Sequence, residues 1–270
     1  MRNQLEPLSM DQIQQQAPSV FSTQPIDDVS SRYRFIPTVH LVNLLAMMGW
    51  KPVSARQVIT RTDDGMHYAK HELRFRNESA INHSFMKVGD SLPEIVLTNS
   101  HNRTAVFNLM VGLFRLVCSN GLMVSDSTIA GIRIKHVGFN DSSISDAVFQ
   151  LGESLPLVLD KINLFKSVQL SSGEQRLLAQ SAALLRWKNP SDIPIRPDDL
   201  LNPNRYDDHR DDLFSTFDRI QENLIHGGIK AIAPDGKQFH TRAVKSIDSD
   251  ISINKGLWNL AEQMCALKNS

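Results

Sequence analysis

The stretch Arg205-Tyr206-Asp207-Asp208-His209-Arg210-Asp211-Asp212 comes closest to a catalytic set in this chain. Four carboxylates around one imidazole can hold Mg²⁺, a hard cation that takes oxygen ligands. The same residues also make an acidic helix start, which the helix dipole favours. No second acidic group elsewhere completes a two-part site, so the solvated helix start is preferred. His67 and His71 are four residues apart, as metal ligands on a helix would be. They sit in a strand pattern, however, where that spacing separates them by roughly 13 Å, too far to share one zinc. The signatures GxxxxGK[ST], HExxH, GxSxG and CxxC are all missing, so neither a reaction nor a metal or other cofactor is expected.

A second chemistry is suggested by charge. Residues 32–76 hold eight Lys or Arg (Arg32, Arg34, Lys51, Arg56, Arg61, Lys70, Arg74, Arg76) against Asp63, Asp64 and Glu72, an excess of five positive charges. Period-two parity puts Tyr68, Lys70, Arg74 and Arg76 on one strand face and Leu73 and Phe75 on the other. A basic face with a tyrosine can hold a phosphate backbone and stack a base. A one-sided sheet also shows charge to water by default, with Glu72 as an internal partner. Residues 198–218 are biased the other way, with seven Asp against Arg205 and Arg210. Poles of opposite sign can pair two copies of the chain, so a homo-oligomer competes with nucleic acid as the explanation.

These segments must be positioned by a chain of 270 residues, 41% hydrophobic and 21% charged, which can bury a sizeable core. Lys+Arg and Asp+Glu both number 29, so any nucleic-acid role rests on local charge. Cys118 and Cys265 lie in apolar helical patterns. A disulfide framework is not expected, and a reducing cytoplasm fits. No apolar run of about 18 residues announces a membrane span. The Gln- and Pro-containing N-terminus lacks the apolar core of a signal peptide.

Helical spacing over Leu41–Met48, with Pro37 before it and Gly49 after it, predicts a helix. Val53–Thr60 and Met66–Arg76 read as a hairpin turning at Asp63-Asp64-Gly65, and Glu94–Thr98 reads as a third strand. Val106, Leu109, Met110, Leu113 and Val117 form a helical stripe, ended by Asn120-Gly121. The polar run Thr98–Thr104 in front of it then supplies caps through Asn99, Ser100, Asn102 and Thr104. Alternatively the same helix start, with Arg103 and His101, holds an anion. Ile129–Val137 is a further strand, and the chain is mainly helical from Ser143. Ser171 and Glu174 have capping-box spacing. Helices near Asp211–His226 and Asn254–Leu267 close the chain.

The expected class is α+β, with an N-terminal helix and an antiparallel hairpin sheet packed on an apolar helix, then a mainly helical C-terminal half. The expected segments are a loosely ordered leader (1–30), an α+β core (31–140), a helical extension (141–188), a Pro-rich connector (189–210) and a C-terminal helical segment (211–270) packed on the core.

Six strings in order, PSVFS (18–22), RYRFIPT (32–38), LPEIVLTNSHNRT (92–104), GLFRLVCSNGLM (112–123), RIQENLIHGG (219–228) and HTRAVKSIDSD (240–250), resemble the YafZ/YfjQ family of bacterial prophage and plasmid proteins. The resemblance runs from about Pro18 to Leu267 and implies a mobile-element protein without supplying catalytic residues. The order helix, Gly-Trp, hairpin, strand, apolar helix is also similar to the core of phage single-strand annealing proteins of the Red-beta and Erf types. That similarity implies a basic groove for single-stranded DNA, to which Arg56, Lys70, Arg74, Arg76, Arg103 and Arg115 would contribute. Arg115 also fits the exposed face of its predicted helix. The leading expectation is therefore a non-catalytic protein that binds nucleic acid, most concretely single-stranded DNA. A protein-binding module acting through the acidic segment is the alternative, and a metal-dependent nuclease stands third.

Overall fold

The computed structural model describes residues 6–27, 35–60, 62–78, 91–115, 121–123, 132–134, 141–204, 206–233 and 236–269. The fold is α+β, and the chain divides into two compact units, Met1–Leu122 with Ile129–Leu155, and Met123–Thr128 with Pro156–Ser270.

The first unit starts with order where a loose leader was expected. Helix α1 (Met10–Gln16) opens on a capping box, in which the Ser9 hydroxyl accepts from the Gln12 N–H and the Gln12 side chain accepts from the Ser9 N–H. Ile13, Ala17 and Val20 are fully buried, and the Leu8 N–H donates to the Pro52 carbonyl at 2.7 Å. Apolar residues at positions 8, 13, 17 and 20 thus anchor a segment whose composition is otherwise polar. Helix α2 (Thr38–Met47) buries Leu41, Val42 and Leu45. Gly49 then turns the chain at φ +82°, into which β1 (Trp50–Gln57) follows.

Strands β2 (His71–Asn77), β3 (Ser91–Asn99) and β4 (Phe107–Arg115) continue an antiparallel sheet in the order β1-β2-β3-β4. Two short strands, β5 (Gly121–Met123) and β6 (Ile132–Ile134), pair with β4. The β1–β2 register slips between Pro52 and Ser54, on an edge strand, where a residue without an N–H is tolerated. The predicted turn at Asp63-Asp64-Gly65 is a short helical one, Asp63–Met66, capped by the Thr62 hydroxyl. β2 consequently begins at His71, so Tyr68 and Lys70 precede it.

The largest correction concerns residues 106–117. The predicted apolar helix is strand β4 over Phe107–Arg115, central in the sheet. Phe107, Leu109 and Val111 are fully buried on one parity, and Met110 is buried on the other. A strand covered on both faces is apolar at odd and even positions alike, and such a run imitates a helical stripe. The polar run ahead of it is therefore a strand-to-strand loop, and there is no helix start at Thr104 to hold an anion.

The long helix α3 (Asp141–Ser167) carries Pro156 inside it, at the division between the two units. In the second unit, α4 (Ser172–Trp187) opens on the expected Ser171/Glu174 capping box. Helix α5 (Leu213–His226) is buried at every position from Leu213 to Leu224. Its apolar side meets α6 (Ile247–Lys268), with Phe217 and Trp258 ring centroids 6.4 Å apart. Much of its polar side is hydrogen-bonded internally: Arg219 donates to Gln175 at 2.9 Å, Gln221 to Asn254 at 2.6 Å, and Asn223 to the Leu200 and Asn202 carbonyls, while Asp218 Oδ2 and Arg219 Nε are buried without a hydrogen bond among the described residues. No helix among the described residues is long and apolar enough to cross a membrane.

Gly227 ends α5 at φ +68° and ψ −144°, a region open essentially only to glycine. A Cβ there would lie 2.7 Å from the Arg242 backbone. Gly228, at φ +80°, has open space around it. Gly227→Ala is therefore expected to destabilise by well over about 1 kcal/mol, and Gly228→Ala by less. Chemical denaturation of the two variants checks the order; equal losses would remove the steric part of the argument.

Candidate nucleic-acid interface

Arg56, Arg74 and Arg76 come together, but with carboxylates between them. Arg56 stands opposite Glu72 across β1–β2, and Arg76 opposite Glu94 across β2–β3. The Arg56 guanidinium donates twice to Glu72, at 3.1 and 2.8 Å. Arg74 reaches Glu72 at 3.1 Å and Glu94 at 3.1 Å, and Arg76 reaches Glu94 at 2.7 Å. The result is an alternating ladder, Arg56–Glu72–Arg74–Glu94–Arg76, over three strands. Glu72, Arg74, Arg76 and Glu94 are all buried, and Arg56 is half-buried. Burial by itself would raise the Glu72 carboxyl, but Arg74 and Arg56 overcome it and hold the group below its usual range. Burial lowers the Arg76 guanidinium, against the opposing pull of Glu94. A buried, paired face is not a phosphate-binding surface.

The other predicted residues do not join it. Tyr68 lies in the turn before β2, where its carbonyl accepts from the His101 N–H, and the Lys70 carbonyl accepts from the Val58 N–H. Arg103 is exposed at φ +64° in the loop between β3 and β4. Arg115 ends β4 opposite Ser91. The nine-residue span of β4 separates those two ends by about 27 Å.

The first part of the run, Thr98–His101, proves to be interior architecture, and Arg103 and Thr104 are exposed. Asn99, Ser100 and His101 are fully buried. The Asn99 amide donates to the Thr38 hydroxyl at 3.0 Å, and Thr38 lies 2.8 Å from His71 Nε2. The other ring nitrogen, Nδ1, is 2.8 Å from Ser19 Oγ and 3.0 Å from the Ala69 carbonyl. The Ser100 side chain closes the loop on Ala105. This cluster ties the N-terminal segment to the sheet. Ser19 and His71 have the spacing of a nucleophile and its base, yet both are fully buried and no substrate reaches them. His71 titrates at about 4, chiefly because burial penalises its charged form. It is also not available to pair with His67 as a metal ligand.

The acidic segment is likewise occupied. Asp198 pairs with Arg176 and Asp199 with Arg196. Asp208 is buried, Asp211 accepts from Gln175, and Asp212 caps α5 through the Ser215 N–H at 2.8 Å. Among the described residues, no group of three or more His, Cys, Asp or Glu is placed to hold a metal.

Unpaired charge lies instead on the ribbon β7 (Lys230–Ile232) and β8 (Gln238–His240) and the irregular segment that follows it. Gly228 donates to the Thr241 carbonyl, Thr241 to the Ile229 carbonyl and Val244 to the Ile225 carbonyl, which fixes this segment on the end of α5. The Arg186 guanidinium, lowered by burial, also binds the Leu224 and Arg242 carbonyls. Ile232 donates to the Pro194 carbonyl, joining β7 to the Pro-rich connector. Lys230, Arg242 and Lys245 are exposed, and none has an acidic partner among the described residues. Phe239, on β8, is 41% exposed. The reading of the sequence missed this site. Its signals were the hairpin dipeptide Asp235-Gly236 and four Lys or Arg against one Asp over residues 230–245.

The model of the family described as "Domain of unknown function (DUF932)" matches residues 25–258. The chain belongs to this family. Two similar proteins of Escherichia coli (strain K12) are UPF0380 protein YafZ, 35% identical, and UPF0380 protein YfjQ, 34% identical. Each alignment spans 258 residues, 96% of this chain and 92% of the relative. No solved structure matches. The DUF932 span contains the charged ladder, the buried histidine cluster and the cationic ribbon, whereas α1 precedes it.

Proposed function

We propose that this protein binds nucleic acid without chemically altering it, in the service of a bacterial mobile element. The observation that carries the proposal is the exposed ribbon, where Lys230 and the partly exposed Phe239 line one cleft, with exposed Arg242 and Lys245 in the segment that follows. Exposed cations that form no ion pair among the described residues attract a phosphate backbone and release its counterions. An exposed aromatic beside a cation is the usual stacking platform of proteins that bind nucleic acid without reading sequence. The acidic segment is weaker as a docking surface, because Asp199, Asp211 and Asp212 are engaged within the chain and Asp208 is buried.

Fluorescence polarisation of a labelled oligonucleotide at low and raised salt tests the proposal. Binding is expected to weaken steeply with salt. Combined Lys230→Glu, Arg242→Glu and Lys245→Glu should remove most of the affinity and lower the salt slope by roughly two units on a single strand. Since all three side chains are exposed, the circular dichroism spectrum should not change. Absence of binding by the unaltered protein at low salt would overturn the proposal.

A further inference from the structure

Beside the ribbon lies a cleft of about 700 Å³, formed within the second unit. Its size falls in the range of about 300–1,000 Å³ that holds small organic groups. One wall is the connector, Ile193, Pro194 and Ile195, and the other is the ribbon, with Ile232 and Phe239. Lys230 stands at the same cleft. Ile232 is 61% exposed, so this pair of walls offers apolar surface to water. Arg196 also lines the cleft, but Asp199 holds it at 3.1 Å, so Lys230 is the cation left for a ligand on that side.

We infer that this cleft receives an unpaired nucleobase, stacked on Phe239, while Lys230 holds an adjoining phosphate and the strand runs on toward Arg242 and Lys245. The inference rests on the nucleic-acid reading above and narrows it to single strands. Lys230 favours an anionic group at the rim, and the apolar walls require that the ligand also present flat, weakly hydrated surface. A nucleobase in a single strand does so on both faces. In a duplex each base is already stacked and paired, and only phosphates reach a protein surface without deformation. The connector is joined to β7 by the Ile232–Pro194 hydrogen bond of 3.1 Å, which fixes the two walls relative to each other along that edge of the cleft. No base-specific set of hydrogen-bonding groups is required, and recognition should be tolerant of sequence.

The test compares a labelled oligo-dT strand with a blunt duplex of the same number of phosphates, using the full chain. The unaltered protein should prefer the strand. Phe239→Ala should weaken strand binding between about fivefold and a hundredfold, the range for loss of one stacked base, and leave its salt slope and duplex binding unchanged. Phe239→Trp should preserve the affinity, and the added indole should be quenched when oligo-dT binds. Because Phe239 is partly exposed, both variants should keep the parent circular dichroism spectrum. Equal affinity for strand and duplex, or unchanged strand affinity in Phe239→Ala, overturns the cleft inference. If the triple charge reversal still abolishes binding in that case, the ribbon reading survives alone. If neither oligonucleotide binds the unaltered protein, both fall.

Discussion

Replacing Glu94 by alanine is expected to lower the melting temperature by about 10 °C. Glu94 is fully buried and serves two guanidiniums, Arg74 at 3.1 Å and Arg76 at 2.7 Å. Removing it leaves two cations inside with one remaining carboxylate, Glu72, which already binds Arg56. Taking one partner from a buried pair costs about 3–5 kcal/mol, because the surviving charge keeps its desolvation penalty. For a unit of this size each kcal/mol shifts melting by about 2–4 °C. The ladder need not add stability over a well-packed apolar face. What it does supply is register: a slip of β2 by one residue would exchange Arg74 and Arg76 for Leu73 and Phe75 and turn three charges, Glu72, Arg74 and Arg76, toward the hydrophobic core. Glu94→Ala with Arg76→Met should recover part of the loss, since only Arg74 then remains short of a partner. Lys230→Ala, on the exposed ribbon, should melt as the parent does. A Glu94→Ala protein with unchanged melting would mean that water reaches the ladder.

Acid is the second strong perturbation. His71 is neutral in the folded protein until about pH 4, against 6.5 for an ordinary imidazole, principally because it is buried. In the unfolded chain it takes up its proton near pH 6.5. Between those values the unfolded state binds the extra proton, so stability is complete above pH 6.5 and declines as the pH falls toward 4. The loss by pH 5 is about 2 kcal/mol. Glu72 acts in the same direction at lower pH: its carboxyl is depressed, so its contribution is present above about 4.5 and lost below it. Urea unfolding at pH 7 and pH 5 should reveal the first loss. His71→Gln should be less stable at pH 7, because it disturbs the contacts with Ser19 and Thr38, yet flatter between the two pH values. A parent protein equally stable at pH 7 and pH 5 would show that His71 is not held neutral inside.

Several features of this chain are determined locally and were legible in its residues. Pro37 and Gly49 bracket α2, Ser171 and Glu174 start α4, and alternation about Leu73 and Phe75 marks β2. Each depends on groups a few residues apart, so the pattern carries its own cause. The capping box at Ser9 and Gln12 belongs to the same class, although the polar composition around it suggested a loose leader.

Other features depend on residues distant in sequence. Val106–Val117 satisfies a helical template, and only its place between β3 and the short strands β5 and β6 makes Phe107–Arg115 a strand. Parity placed Arg74 and Arg76 on one face, but whether that face meets water or protein is not a local property. Pairing Arg76 with Glu94 across 18 residues turned an excess of positive charge into an internal ladder. Conversely, the local excess of Lys and Arg over residues 230–245 becomes a surface only because hydrogen bonds to α5 and to the connector fix the ribbon. Residue type and spacing decide which groups can be charged, apolar or capping. Desolvation decides what those groups then do, and it is set by neighbours that only the folded chain brings together.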